Sequence, residues 1–175
     1  DVVDTANDNL TFKTTDKTVK ATDLVALNTL VTLDAISVTT VTGDAKDTAD
    51  ILLALGIATN PEVKISGIVA INDLSIGDIL DGTNKKVTAK IAAGEASDLV
   101  TLLTNGTDKD ALDVTVNGTD ATAAQLAGIY DKTALKVKVD AATVTAANFD
   151  AFEDVYVINK NKFSSLGDEN IIIDS

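Results

Sequence analysis

The chain has 175 residues, 45% of them hydrophobic, with a mean hydropathy of +0.19, enough for one domain with a real core and too apolar for a chain disordered by composition. It contains no Cys, His, Met, Trp or Arg, so all 14 cationic side chains are Lys, and against 27 acids the formal net charge is −13. These absences exclude thiolate and histidine catalysis and the usual zinc, copper and haem ligand sets, and leave carboxylate chemistry as the remaining option.

A pI near 4.2 repels phosphate backbones and anionic lipid, so nucleic acid is an unsuitable partner. No apolar run reaches the roughly 18 residues a membrane span needs, and no membrane insertion is expected. The 24 Thr, the 3% aromatic content and the lack of Cys favour a secreted protein at a bacterial cell surface or in an extracellular appendage. Of the acids, 23 are Asp and 4 are Glu, and short acids suit loops and caps better than long exposed helices. The start at Asp1, without an initiator Met, is expected of a processed product or a fragment.

Along the chain, strand-like alternation followed by helix-like spacing recurs. Leu10–Phe12 precedes a helical pattern over Thr22–Leu27, Ile36–Val38 precedes Asp47–Leu53, and Ile65–Val69 precedes Leu74–Leu80. Gly56 and Pro61, the only Pro, fall in the longest step and mark an inserted loop. Val87–Ile91 then leads to Glu95–Leu103, Leu112–Val116 to Thr122–Tyr130, and Leu135–Val139 to Thr145–Phe152; these strands start 25 and 23 residues apart. Ala96, Leu99, Leu102 and Leu103 share one helix face, as do Ala123, Leu126, Ile129 and Tyr130, and Ala146, Phe149 and Phe152. Thr122 and Thr145 stand at N-cap positions. Val155–Ile158 and Ile171–Ile173 read as terminal strands. The approximate units are 10–35, 36–63, 64–85, 86–110, 111–133 and 134–154, with a partial unit over 155–175.

A strand of about five residues and a helix of about nine cannot bury both apolar faces alone, so each unit needs a neighbour. Strands separated by helices run parallel with right-handed crossovers. The expected fold is α/β, a single repeat domain with a solenoid-like stack of strand-turn-helix repeats, a mainly parallel sheet and helices on one face. Alternation such as Val137-Lys138-Val139 favours this over a doubly wound sheet, whose strands are apolar on both faces.

Two acid clusters are the site-forming candidates: Asp44, Asp47 and Asp50, and separately Asp108, Asp110 and Asp113. Hard oxygen ligands at such spacing suit calcium, although neither cluster follows the EF-hand pattern. Asp47 is also placed as a helix N-cap, and Asp108 and Asp110 as turn acids. Asn105-Gly106 suits a helix C-cap with Gly in the left-handed region, and Asn117-Gly118 lies between a strand and its helix. With Asn9, these Asn residues also form glycosylation sequons, for which turn chemistry is the simpler account. Tyr156 and Phe163 are left open to a surface role, and Phe149 and Phe152 are assigned to the core. A carboxylate glycosidase needs two acids about 5–10 Å apart in a cleft, which a loop-poor stack does not offer.

Val-Thr-Ala-Lys-Ile at 87–91, Ala-Ser-Asp-Leu-Val-Thr-Leu at 96–102 and Thr-Ala-Ala-Gln-Leu-Ala-Gly-Ile at 122–129 resemble the Thr-, Ala- and Asp-rich repeats of very large secreted surface proteins of cyanobacteria and marine bacteria. The resemblance covers roughly residues 86–155. It implies an S-layer, adhesin-like or filament role through self-association or attachment to neighbouring repeats, in proteins that often carry calcium-binding repeats. Those calcium repeats are absent here, so no cofactor is required by the residues themselves. A glycan-binding module of a phage or bacterial fibre is the alternative.

Overall fold

The computed structural model describes residues 18–29, 38–55 and 60–174. The first elements are β1 (Thr18–Lys20), α1 (Ala21–Asn28), β2 (Thr40–Gly43), α2 (Ala45–Leu55), β3 (Glu62–Val69), α3 (Ser75–Gly82), β4 (Val87–Ile91) and α4 (Ala96–Leu102). They are followed by β5 (Ala111–Asp113), β6 (Thr115–Val116), β7 (Asp120–Thr122), α5 (Ala123–Tyr130), β8 (Val137–Val139), β9 (Thr143–Ala146) and α6 (Phe149–Glu153). A π-helical turn over Asp154–Ile158 and a 3₁₀ turn over Lys160–Lys162 lead to β10 (Phe163–Ser164) and β11 (Asn170–Ile173).

The fold is α/β, and every named strand pair is parallel. The first five strands form one sheet in chain order, β1-β2-β3-β4-β5, and the rest form two three-stranded sheets, β10-β8-β6 and β11-β9-β7. Paired residues lie about one unit apart in sequence: Thr40 is 22 residues beyond its partner Thr18, and Asn170 is 27 beyond its partner Thr143. The alternation seen in the sequence becomes vertical columns. Val19, Val41, Val63 and Val87 sit side by side across four strands, and the last three are at most 1% exposed. Lys136 and Lys138, by contrast, face solvent.

Helices close the other side of this core. Leu24, Ile51, Ile76, Ile79, Leu99, Leu126 and Ile129 are each at most 1% exposed; the spacing of Ala123, Leu126 and Ile129 puts all three on the buried side of α5. Removing such a side chain costs about 2–5 kcal/mol, because the cavity collapses only partly. Thr122 starts α5 as the sequence implies, in a full capping box: its hydroxyl accepts from the Gln125 N–H at 3.1 Å, and the Gln125 side chain accepts from the Thr122 N–H at 2.9 Å.

Several expected elements differ. Leu10–Phe12 and Ile36 lie outside the described residues; the strands described nearest to them are Thr18–Lys20 and Thr40–Gly43. The Leu112–Val116 strand breaks at the fully buried Val114 into β5 and β6. Leu135 is exposed and the next strand begins at Val137. Thr145 is no N-cap: it lies within β9, where Val144 and Ala146 are buried and the backbone pairs with β7 and β11. Two-sided pairing outweighs the local helical pattern. Asn148 caps the shortened α6 instead, accepting from the Ala151 N–H at 2.9 Å. Val155–Ile158 is not a strand, because Asn159 N–H reaches Asp154 O at 2.9 Å and closes a π-helical turn. Gly56 lies outside the described residues, and Pro61 stands in the connection just before β3, where a missing N–H is tolerated.

Buried polar groups hold the corners where a helix returns to the next strand. Thr83 Oγ1 donates to Pro61 O at 2.7 Å and accepts from Lys85 N–H at 3.1 Å. Asp110, 4% exposed, accepts from Val87 N–H at 2.8 Å and from Thr107 N–H at 2.9 Å. Thr133, 1% exposed, accepts from Leu112 N–H at 3.0 Å and donates to Leu112 O at 2.8 Å. Each group thereby reaches back to backbone in or just before the preceding strand, at a place where the next ladder of strand hydrogen bonds has not yet begun. Asp110→Ala orphans two backbone donors, one of them at the buried Val87, and is expected to cost roughly 2–3 kcal/mol and lower the thermal midpoint by roughly 5–10 °C. Asp108→Ala, in the exposed part of the same turn, should stay within about 0.5 kcal/mol in the same calorimetric comparison.

Candidate assembly surface

The last unit ends both short sheets. β10 pairs only with β8, and β11 only with β9, among the described residues. On its inner side β11 is framed by Asn170 N–H to Ala142 O and Asp174 N–H to Ala146 O, both 2.9 Å. Its outer backbone groups have no strand beside them among the described residues, and its three isoleucines are 38%, 44% and 42% exposed at Ile171, Ile172 and Ile173. An open apolar strand edge is a template for pairing with another strand. The π-helical turn of the same unit adds Val157 and Ile158, 60% and 67% exposed.

Aromatic packing fixes this end. Phe163 is buried and meets Tyr130 edge to face, with ring centroids 5.5 Å apart. It is a core residue, contrary to the surface role left open for it. Tyr156 is half-buried and stacks on Phe152 at 4.9 Å, and Phe152 lies 5.8 Å from Phe149. Phe149 itself is 61% exposed, correcting its assignment to the core. The helix starts at Phe149 rather than Thr145, which turns that side chain outward.

The Tyr156 hydroxyl donates to the Glu169 carboxylate, which also accepts from Gly167 N–H at 2.9 Å. Gly167 has φ +116°, a conformation that a residue with a Cβ adopts only under strain. This tie shapes the turn that delivers β11 to its place. Burial, followed by the hydrogen bond to Glu169 and its charge, pushes the Tyr156 phenol well above its ordinary value of 10.0.

The six candidate acids do not form one site. Asp44, rather than Asp47, caps α2: its Oδ1 accepts from the Asp47 N–H at 2.8 Å. The chain enters the helix at Ala45, so Asp47 falls in the first turn, where its charge suits the helix dipole. Asp50 pairs with exposed Lys46 at 2.6 Å, and that hydrogen bond raises the Lys46 pKa. Asp110 is the buried corner group, while Asp108 and Asp113 are exposed in a turn and on β5. Among the described residues no three acids converge on a point where a metal ion would sit.

Gly106 is not in the left-handed region expected of a C-cap; positive φ is found at Gly67, Gly118 and Gly167. Gly106 is instead favoured by crowding, since a Cβ there would lie 3.1 Å from Lys132 O and its neighbours would have to give by a few tenths of an ångström. Gly118, with φ +106°, joins β6 to β7 rather than a strand to a helix. A further groove of about 290 Å³ lies between α2 and α3, floored by Leu52 and Leu53 and edged by Asp50, Asp78 and Asp81. No helix among the described residues is long and apolar enough to cross a membrane. The chain matches no family model, no curated protein and no solved structure.

The signal for this surface was in part present in the sequence, since Ile171–Ile173 is an uninterrupted apolar strand beside the acidic Asp168 and Glu169. Val155–Ile158 is legible as a terminal segment open to pairing, but its exposed Val157 and Ile158 stand on a π-helical turn rather than on a strand, and the exposure of Phe149 follows from where the helix begins.

The raised Tyr156 pKa has a signed consequence. A phenol that ionises less readily in the folded chain contributes stability that is intact below about pH 10 and lost as pH rises through the folded value. Thermal midpoints should fall above about pH 10, and Tyr156→Phe should flatten that alkaline decline while changing little of its slope near neutrality. An unchanged alkaline decline in the variant would place its origin in other groups.

Proposed function

We propose that the chain is a non-enzymatic structural module of a secreted bacterial surface, adhesin or filament protein. Its units form a solenoid-like stack with helices on one face, and it acts through self-association or attachment at the open end of that stack. The observation that carries this reading is the exposed edge of β11, with Ile171, Ile172 and Ile173 uncovered. Parallel strands one unit apart, the lack of His and Cys and the resemblance to secreted surface repeats support it. Calcium is not needed for this role, although a chain of net charge −13 attracts divalent cations without specific sites.

A second reading, a glycan-binding module of a phage or bacterial fibre, is supported by the row of Phe149, Phe152 and Tyr156, whose outermost ring is open to solvent. A glycan array with no bound sugar counts against it.

Sedimentation velocity over a wide concentration range, with calcium and with chelator, tests the first reading. The native chain should associate, and Ile172→Lys, which places a charge on the open edge, should weaken association by roughly tenfold or more at unchanged circular dichroism. A chain that remains monomeric throughout in both buffers overturns the self-association proposal.

A further inference from the structure

Two Asn-Gly pairs stand in very different backbone settings. At Asn105-Gly106 the glycine is buried, its N–H donates to Leu103 O at 2.9 Å, and Lys132 crowds it from the next unit. At Asn117-Gly118 both residues are exposed, and the Gly118 N–H has no acceptor among the described residues. The flanking backbone is nonetheless tied on both sides. Asn117 N–H donates to Gly94 O at 2.8 Å, Gly118 O accepts from Ala142 N–H at 3.1 Å, and Thr119 O accepts from Thr143 N–H at 2.9 Å.

We infer that Asn117 is a site of spontaneous covalent modification, deamidation with isomerisation to isoaspartate, and that Asn105 is protected from it. The Gly118 amide nitrogen, on giving up its proton, attacks Asn117 Cγ. The new N–C bond closes a five-membered succinimide, and the side-chain nitrogen leaves as ammonia, taking up the proton. Water then opens the ring at either carbonyl, giving aspartate or, when the backbone carbonyl is attacked, isoaspartate. The net reaction is amide plus water to acid plus ammonia. Only glycine leaves the attacking nitrogen unhindered by a Cβ, and only a free N–H is available to lose its proton. At Asn105 the same attack first requires breaking the bond to Leu103 O.

The consequence follows from the ties around the site. Isoaspartate routes the main chain through the former side chain and inserts a methylene between Asn117 N and Gly118 N. The bond from Asn117 to Gly94 and that from Ala142 to Gly118 cannot both keep their present geometry. Modification therefore loosens the joint among the segments carrying β4, β6 and β9, and it adds a negative charge to an already acidic chain.

Native protein is incubated at mildly alkaline pH and sampled over weeks by peptide mapping with mass spectrometry that distinguishes aspartate from isoaspartate. Asn117 should convert faster than Asn105 by roughly tenfold, the population penalty for breaking one backbone hydrogen bond. In urea the two should convert at similar rates. Equal native rates, faster conversion at Asn105, or a difference that persists in urea overturns the inference. In parallel, Asn117→Gln, whose larger ring closes far more slowly, should abolish the age-dependent gain in protease sensitivity. If the variant becomes protease-sensitive at the native pace, the proposed loosening is wrong.

Discussion

Side-by-side parallel pairing between segments about one unit apart is the constraint on which everything else rests. A parallel strand cannot find its partner through a tight turn, so each must wait for a crossover to bring the chain back. The intervening helix performs that crossover and covers the apolar side of the strands. Neither part is stable alone: β8, for example, is three residues long, far short of an independent sheet. Its place is fixed by β6 on one side and β10 on the other, and by Val137 and Val139 in the core.

The corners complete the constraint. At Thr83, Asp110 and Thr133 the helix has ended and the next ladder has not begun, so backbone groups there would be buried without partners. One side chain per corner meets that need by reaching back to the preceding strand or the residue just before it. Hydroxyl and carboxylate serve the same purpose because both can accept two hydrogen bonds. This gives Thr83, Asp110 and Thr133 a structural rather than a chemical role.

The sequence made the repeating middle of the fold legible and blurred its ends. Val87–Ile91 coincides with β4, and the helix beginning at Thr122 is capped by that residue, because each depends on periodicity and local capping alone. Thr145 misled because Thr-Ala-Ala is a fair helix start, whereas the backbone there is claimed from both sides by β7 and β11. The corner residues stayed hidden for a related reason. Thr133 looks like any turn threonine until Leu112, 21 residues earlier, is known to lie beside it. Ile171–Ile173 is legible as a terminal strand open to pairing, and among the described residues β11 has β9 on one side and no strand on the other.

The irregularity between β3 and β4 has a geometric meaning. Lys64 pairs with Thr88 and Ile68 with Lys90, so the first strand advances four residues while its neighbour advances two, and the surplus is taken up around Gly67 at φ +77°. Across that seam the ladder of hydrogen bonds is interrupted, while Ile68 stands out of the surface. A surplus of this kind bends the strand that carries it and sharpens the local twist, so this seam sets how the five-stranded sheet turns between β3 and β4.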